Sequence, residues 1–165
     1  MSATYPVFAQ PAVATAPPAA STFGSFALSR GADVADARSL ATNGLGQTLY
    51  AAPATGAVCL GSSDGVIAGC SPYPLLTPNE IVGSSALCTP SGDLEFAALL
   101  PGTPTNVLGH FNDGSSHAVN VTNGAVTIAV GPGEPVPMSI TWRSGTQSLE
   151  ADTGVPAGTE PSRCG

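Results

Sequence analysis

Cys59 and Cys70 lie at equal distances from the Asp64-Gly65 step in "VCLGSSDGVIAGC", residues 58 to 70. Asp-Gly signals a two-residue hairpin turn, because glycine accepts the positive φ that such a turn demands. A tip at that step sets Ser62 opposite Ile67, Gly61 opposite Ala68, Leu60 opposite Gly69 and Cys59 opposite Cys70. Directly opposed Cα atoms in an antiparallel pair are about 4.5–5.5 Å apart, within reach of a disulfide. Counting from a two-residue tip puts the cysteines at a hydrogen-bonded position, the less comfortable one for a cross-strand bridge. A bulge or a longer loop therefore competes with the minimal turn. The bridge would stabilise the fold by about 3 kcal/mol in the chain-entropy model.

The other two cysteines are Cys88 and Cys164, the latter in the closing "PSRCG", which has no apolar pattern to dock it. A covalent tie to Cys88 accounts for a cysteine there, and closing so long a loop is worth up to about 4.5 kcal/mol. Four cysteines allow three connectivities, and 59–70 with 88–164 is the expected one. The rival reading, a four-cysteine zinc site, calls for close ligand pairs of the C-x₂₋₄-C kind, and the gaps here are far wider.

Composition fits an exported chain. The 165 residues amount to one domain with a modest core. Glycine (20) and proline (16) favour turns over helices. Only 9% of residues are charged; there is no lysine, and Arg30, Arg38, Arg143 and Arg163 are the fixed cations. The net charge of −7 argues against a nucleic-acid or anionic-membrane partner. No apolar run approaches the ~20 residues that span a bilayer, so no direct membrane insertion is expected. The first residues lack the basic-then-apolar pattern of a leader, so an export signal is expected outside this sequence.

The sequence divides into an arm and a body. Residues 1–28 mix Ala, Pro, Ser and Thr without period, and Pro17-Pro18 favours extended polyproline geometry. The arm reads as a linker, with "YPVF" (Tyr5 to Phe8) docking as an edge strand as the alternative. Within the body, 29–165, "DVADARSLA" (Asp33 to Ala41) is the one helical stretch expected, ended by Asn43-Gly44. From Gln47 onward the pattern is of strands: "TLYAA" and "AVCLG" flank a turn at "PATG", and "IVGSSALC" and "LEFAALL" follow.

Side-chain parity sets the registers of residues 105–130. A three-residue loop, Asn112-Asp113-Gly114, puts Val107 opposite Val119 and every apolar residue on one side, which a two-residue turn does not. Asn123-Gly124 works as a plain two-residue turn, with Val121 opposite Val126 and Val119 opposite Ile128. Three strands then share one apolar face. "PMSITWR" adds a fourth through Met138, Ile140 and Trp142, and a last hairpin turns at Ser144-Gly145. The expected fold is all-β: a disulfide-tied antiparallel β-sandwich of about nine or ten short strands.

Catalytic motifs are thin. "GSSDG" (Gly61 to Gly65) matches G-x-S-x-G with Ser63 as nucleophile, but that motif needs a strand before it and a helix after it, and here it is a hairpin tip. His110 and His117 fall on opposite faces by parity and cannot share a metal. Asp93 and Glu95 form the one close alternating carboxylate pair, the kind glycosidases use; they read as a solvated face, because nothing near them would raise either pKa. Glu150 and Asp152 approach the exposed tail. "NVT" (Asn120 to Thr122) fits a glycosylation sequon, a match frequent by chance and idle in a bacterium. No catalytic, cofactor or metal residue is expected.

"LLPGTPTNVLGHFNDGSSHAVNVTNGAV", residues 99–126, resembles a segment of uncharacterised secreted or membrane-anchored bacterial cell-envelope proteins. "ARSLATNGLGQTLYAAPATGAVCL" and the cysteine after it resemble their upstream part, so the likeness runs from Arg38 to Trp142. It departs from them at the entry, where Gly102-Thr103-Pro104 replaces Asp-Gly-Val. The resemblance implies an extracytoplasmic location and no reaction. The expected function is a non-catalytic structural or binding module for an envelope protein or glycan, with loops 71–80 and 131–137 as first binding candidates. A sensor ectodomain and a secreted serine hydrolase through Ser63 or the acidic pair are the alternatives. Peptide mapping of the unreduced protein is expected to return Cys59–Cys70 and Cys88–Cys164 bridges; four free thiols would contradict both.

Overall fold

The computed structural model describes residues 5–11, 22–43, 46–63, 67–74, 80–89 and 91–156. The cysteine hairpin forms as spaced: β3 (Ala57–Ser62) pairs antiparallel with β4 (Ala68–Pro72), with Cys59 opposite Cys70 and Leu60 opposite Gly69. The two sulfurs are bonded and their Cα atoms lie 4.0 Å apart. Ser62 N–H donates to Ile67 O, which makes that pair the hydrogen-bonded one and moves Cys59–Cys70 to the closer, non-hydrogen-bonded position. Ser63 N–H donates to Thr48 O; the expected Asp64-Gly65 tip lies outside the described residues. Cys88 is not a free thiol; the 88–164 pairing involves residue 164, outside the described residues.

β1 (Arg38–Thr42), β2 (Thr48–Ala54), β3 and β4 form the first of three four-stranded antiparallel sheets, in that order. The second runs β5 (Val82–Cys88), β6 (Leu94–Leu99), β10 (Ala125–Val130), β9 (Val121–Thr122). The third runs β12 (Gln147–Asp152), β11 (Pro137–Ser144), β7 (Thr105–Phe111), β8 (Ser116–Ala118). The described residues thus hold twelve strands, against nine or ten expected.

β6 shows how the sheets lie. All six of its residues are buried, because both of its faces are covered, which is why "LEFAALL" is an almost continuous apolar run rather than an alternation. Ala97 and Leu99 pack with Leu40, Leu49, Val58 and Leu60 of the first sheet. Leu94, Phe96 and Ala98 pack with Val107, Ile140 and Trp142 of the third. The second sheet is therefore the middle layer. On the far face of the first sheet, Ala52 and Cys59 meet Phe23 and Ala27 of a helix, α1 (Thr22–Ser29).

That helix corrects the reading of the arm as extended at residues 22–28; Pro17-Pro18 lies outside the described residues. Phe23 and Ala27, four apart, fall on one helical face; Phe23 stacks on Tyr50 at 5.9 Å, and Arg30 lies over the Phe26 ring. "DVADARSLA" is not a helix: a single 3₁₀ turn at Val34–Asp36 gives way to β1. "YPVF" docks, but as a 3₁₀ turn (Pro6–Ala9) and not as an edge strand. It sends Tyr5 and Val7 into the core between the first two sheets, and Arg38 Nε holds it through Gln10 O at 2.9 Å.

The 105–126 registers form as parity requires. Val119 N–H donates to Val107 O, and the 112–114 loop carries Gly114 at φ +84°. Asn123 and Gly124 both take positive φ, +52° and +81°, and pair Val121 with Val126. Two expectations fail. The last hairpin pairs Ser144 with Gln147, so its tip is Gly145-Thr146, one residue on. And 116–122 is not one strand, because its two halves belong to different sheets. Phe96→Ala would empty the core between the second and third sheets; a loss of about 3–5 kcal/mol is expected, read as a lower urea midpoint at unchanged m-value.

Candidate functional site

The division of residues 116–122 creates the molecule's main concavity. β8 pairs with β7 in the third sheet, whereas β9, two residues further along, pairs with β10 in the middle sheet. Val119 and Val121 both pack into the core shared by those sheets, so the chain crosses between layers at Val119-Asn120. The pairing of Val119 with Ile128 is thereby lost, since Val119 N–H is committed to Val107. β9 covers only Ala125 and Val126 of β10. Beyond them, Thr127 to Ala129 pair with β6 on one side and face a cleft on the other.

The cleft has a volume of about 680 Å³, within the range of small-ligand sites. Thr127 and Ala129 line its floor, Thr42 and Asn43 at the end of β1 form one wall, and Asn120 and Thr122 the other. Its one charged lining residue is Glu95 of β6, which is fully buried. Asn43 Nδ2 donates to Glu95 Oε1 and also to Gln47 Oε1, while Asn43 Oδ1 accepts from Gln47 N–H at 2.8 Å. The carboxylate thus anchors the β1–β2 turn from beneath and fixes the wall that turn presents. Glu95 is not on a solvated face, as its alternation with Asp93 suggested. Asp93 precedes β6 in a tight turn, where its carboxylate accepts from Ser91 Oγ and its N–H donates to Thr89 Oγ1.

The remaining candidates are dispersed. Ser63 Oγ accepts from Thr48 N–H at 3.3 Å, and both histidines belong to a different sheet, so no Ser63–His pair assembles. His110 and His117 do take opposite faces: His117 lies against the Phe111 ring at 5.4 Å, and His110 spans three strands. The His110 Nδ1 lies 2.8 Å from Ser116 Oγ and its Nε2 lies 2.8 Å from Thr141 Oγ1. A serine beside a histidine is the start of a nucleophile, but activation also needs the base oriented by a third group, commonly a carboxylate. Here a hydroxyl takes that place; the nearby Glu150 accepts from Ser139 Oγ, and Ser116 is not in the cleft. Asp152 Oδ1 accepts from Gly154 N–H in a local turn.

The Asp113 carboxyl and the Tyr5 phenol have displaced pKa values, and neither residue lines the cleft. Hydrogen bonds from the Ser115 hydroxyl and N–H hold the Asp113 carboxyl below its usual range, a property of the exposed loop at 112–114. Burial, and then the charge of Glu80, push the Tyr5 phenol up. Beside Tyr5 lies a smaller apolar cavity of about 180 Å³, with Val7, Leu99 and Pro104 in its lining. Of the loops expected to bind, residues 75–79 lie outside the described residues, and 131–134 close a turn in which Gly131 N–H donates to Glu134 Oε2. Among the described residues no His, Cys, Asp and Glu group could hold a metal, and no helix is long and apolar enough to cross a membrane.

No family model, curated protein or solved structure matches the chain. The cleft was missed because its residues are ordinary strand residues, brought together by a change of layer. Asn43→Ala should cost about 1.5–3 kcal/mol by removing a donor to a buried carboxylate. Thermal unfolding measures this; an unchanged midpoint would show that Asn43 does not hold Glu95.

Proposed function

We propose that this chain is a non-catalytic binding module displayed outside the cytoplasmic membrane, on a secreted or anchored cell-envelope protein. In this reading the stacked sheets form an extended β-sandwich, tied by disulfides because small exported domains gain stability from them in an oxidising compartment. The observation that carries the binding function is the cleft beside Glu95. It is large enough for a ligand, it is lined by amides, hydroxyls and small side chains, and its wall is fixed from below by a buried carboxylate. Such a lining suits recognition through hydrogen bonds and contains no nucleophile–base pair that would do chemistry. None of the described arginines lines it, which disfavours acidic ligands.

Two measurements on the folded, oxidised protein test this reading. A fluorophosphonate probe is expected to label no serine, and labelling at Ser63 or Ser116 would overturn the non-catalytic reading. Titration of ¹⁵N-labelled protein with solubilised cell-envelope peptide and glycan fragments is expected to shift amides of Thr42, Asn43 and residues 118–129. Shifts confined to another surface would move the site elsewhere.

A further inference from the structure

We infer that the cleft takes an extended peptide, which adds as a further strand along the open edge of β10; this rests on the binding-module reading and specifies its ligand. The backbone parity of β10 is fixed from both sides. Gly124 O accepts from Leu100 N–H, so the even-numbered residues of β10 direct their N–H and C=O groups to β6. The two-residue turn at Asn123-Gly124 directs the odd-numbered ones to the β9 side. β9 ends its pairing at Val126. Past that point, the Thr127 carbonyl and both backbone groups of Ala129 point into the cleft with no strand opposite them among the described residues.

Backbone groups in a row recognise another backbone, and an extended peptide satisfies them with a ladder of main-chain hydrogen bonds. Thr127 to Ala129 present about 10 Å of such edge at ~3.3 Å per residue. The edge also lacks the usual protections. "TIAV" carries no charge, proline or glycine, the devices by which exposed edges are kept from pairing. It lies inside the cleft rather than on an outer edge of the molecule. The side chains of Thr127 and Ala129 are small and leave room above the floor, and no aromatic ring lines the cleft to stack on a sugar. Ala129 stands opposite Glu95 in the ladder, so a peptide residue paired with Ala129 would be the third in a row that begins with a carboxylate. The favoured partner is therefore a neutral or basic extended segment.

Phage-displayed random nonapeptides selected against the folded, oxidised protein, then resynthesised, test the proposal without altering the protein. The selected peptides are expected to slow hydrogen exchange of the Ala129 amide at least tenfold. Methylation of the peptide nitrogens that face β10 should weaken binding at least tenfold, while methylation of the alternate nitrogens should leave it within twofold. Binding with unchanged Ala129 exchange, or with both methylation patterns equally tolerated, would overturn strand addition. Failure to select any peptide would overturn it too. The binding-module reading would then stand if envelope glycan fragments shift amides of residues 118–129, and fall with it if they shift none.

Discussion

The fold depends on a middle sheet that is covered on both faces, with β6 wholly buried at its centre. β6 contributes Ala97 and Leu99 to one core and Leu94, Phe96 and Ala98 to the other, and its neighbour β10 adds Ala125 to the first and Val126, Ile128 and Val130 to the second. Each large buried side chain contributes about 1.5–3 kcal/mol by leaving water, but the geometric consequence matters more. In this chain successive segments serve different layers. Residues 116–122 change sheets at Val119-Asn120.

The cleft follows from that crossing. Where β8 departs to the third sheet and β9 has yet to join the second, β10 keeps its bonds to β6 and loses a neighbour on the other side. The opening is framed on its first-sheet wall by Asn43, and Asn43 is held by a carboxylate that the same strand β6 buries. A buried Glu is costly unless it is hydrogen-bonded, and here its bond goes to the turn that shapes the cleft. Core packing and the candidate site thus share one strand: its apolar residues set the layers, and its one charged residue sets the wall.

Much of the local structure could be read from the residues. The cysteine register, the 112–114 loop and the Asn123-Gly124 turn follow from period-2 alternation and from glycine's tolerance of positive φ, both local properties, and they formed as read up to Val121–Val126, whereas Val119 does not pair with Ile128. What failed was non-local. Alternation placed Val119 and Val121 on one face but could not say that they reach the same core from different sheets. Glu95 alternates with Asp93 and so resembles a solvated pair; its burial depends on the first sheet, far away in sequence. The α1 helix was hidden in an Ala/Pro/Ser-rich stretch whose composition favours extended chain, and only the Phe23–Ala27 spacing against the outer face of the first sheet explains it. The cleft leaves no motif because it is made of Thr, Asn and Ala at strand positions.

The account turns on β10 being bonded on one side and open on the other past Val126. Native-state amide hydrogen exchange of the ligand-free protein, resolved residue by residue, tests this directly. The amides of Ile128 and Val130, directed to β6, should exchange at the slow rate of the core, and the Ala129 amide between them should exchange at least a hundredfold faster. An Ala129 amide as protected as its two neighbours would mean that the edge is already paired, and the cleft with its open strand would not exist.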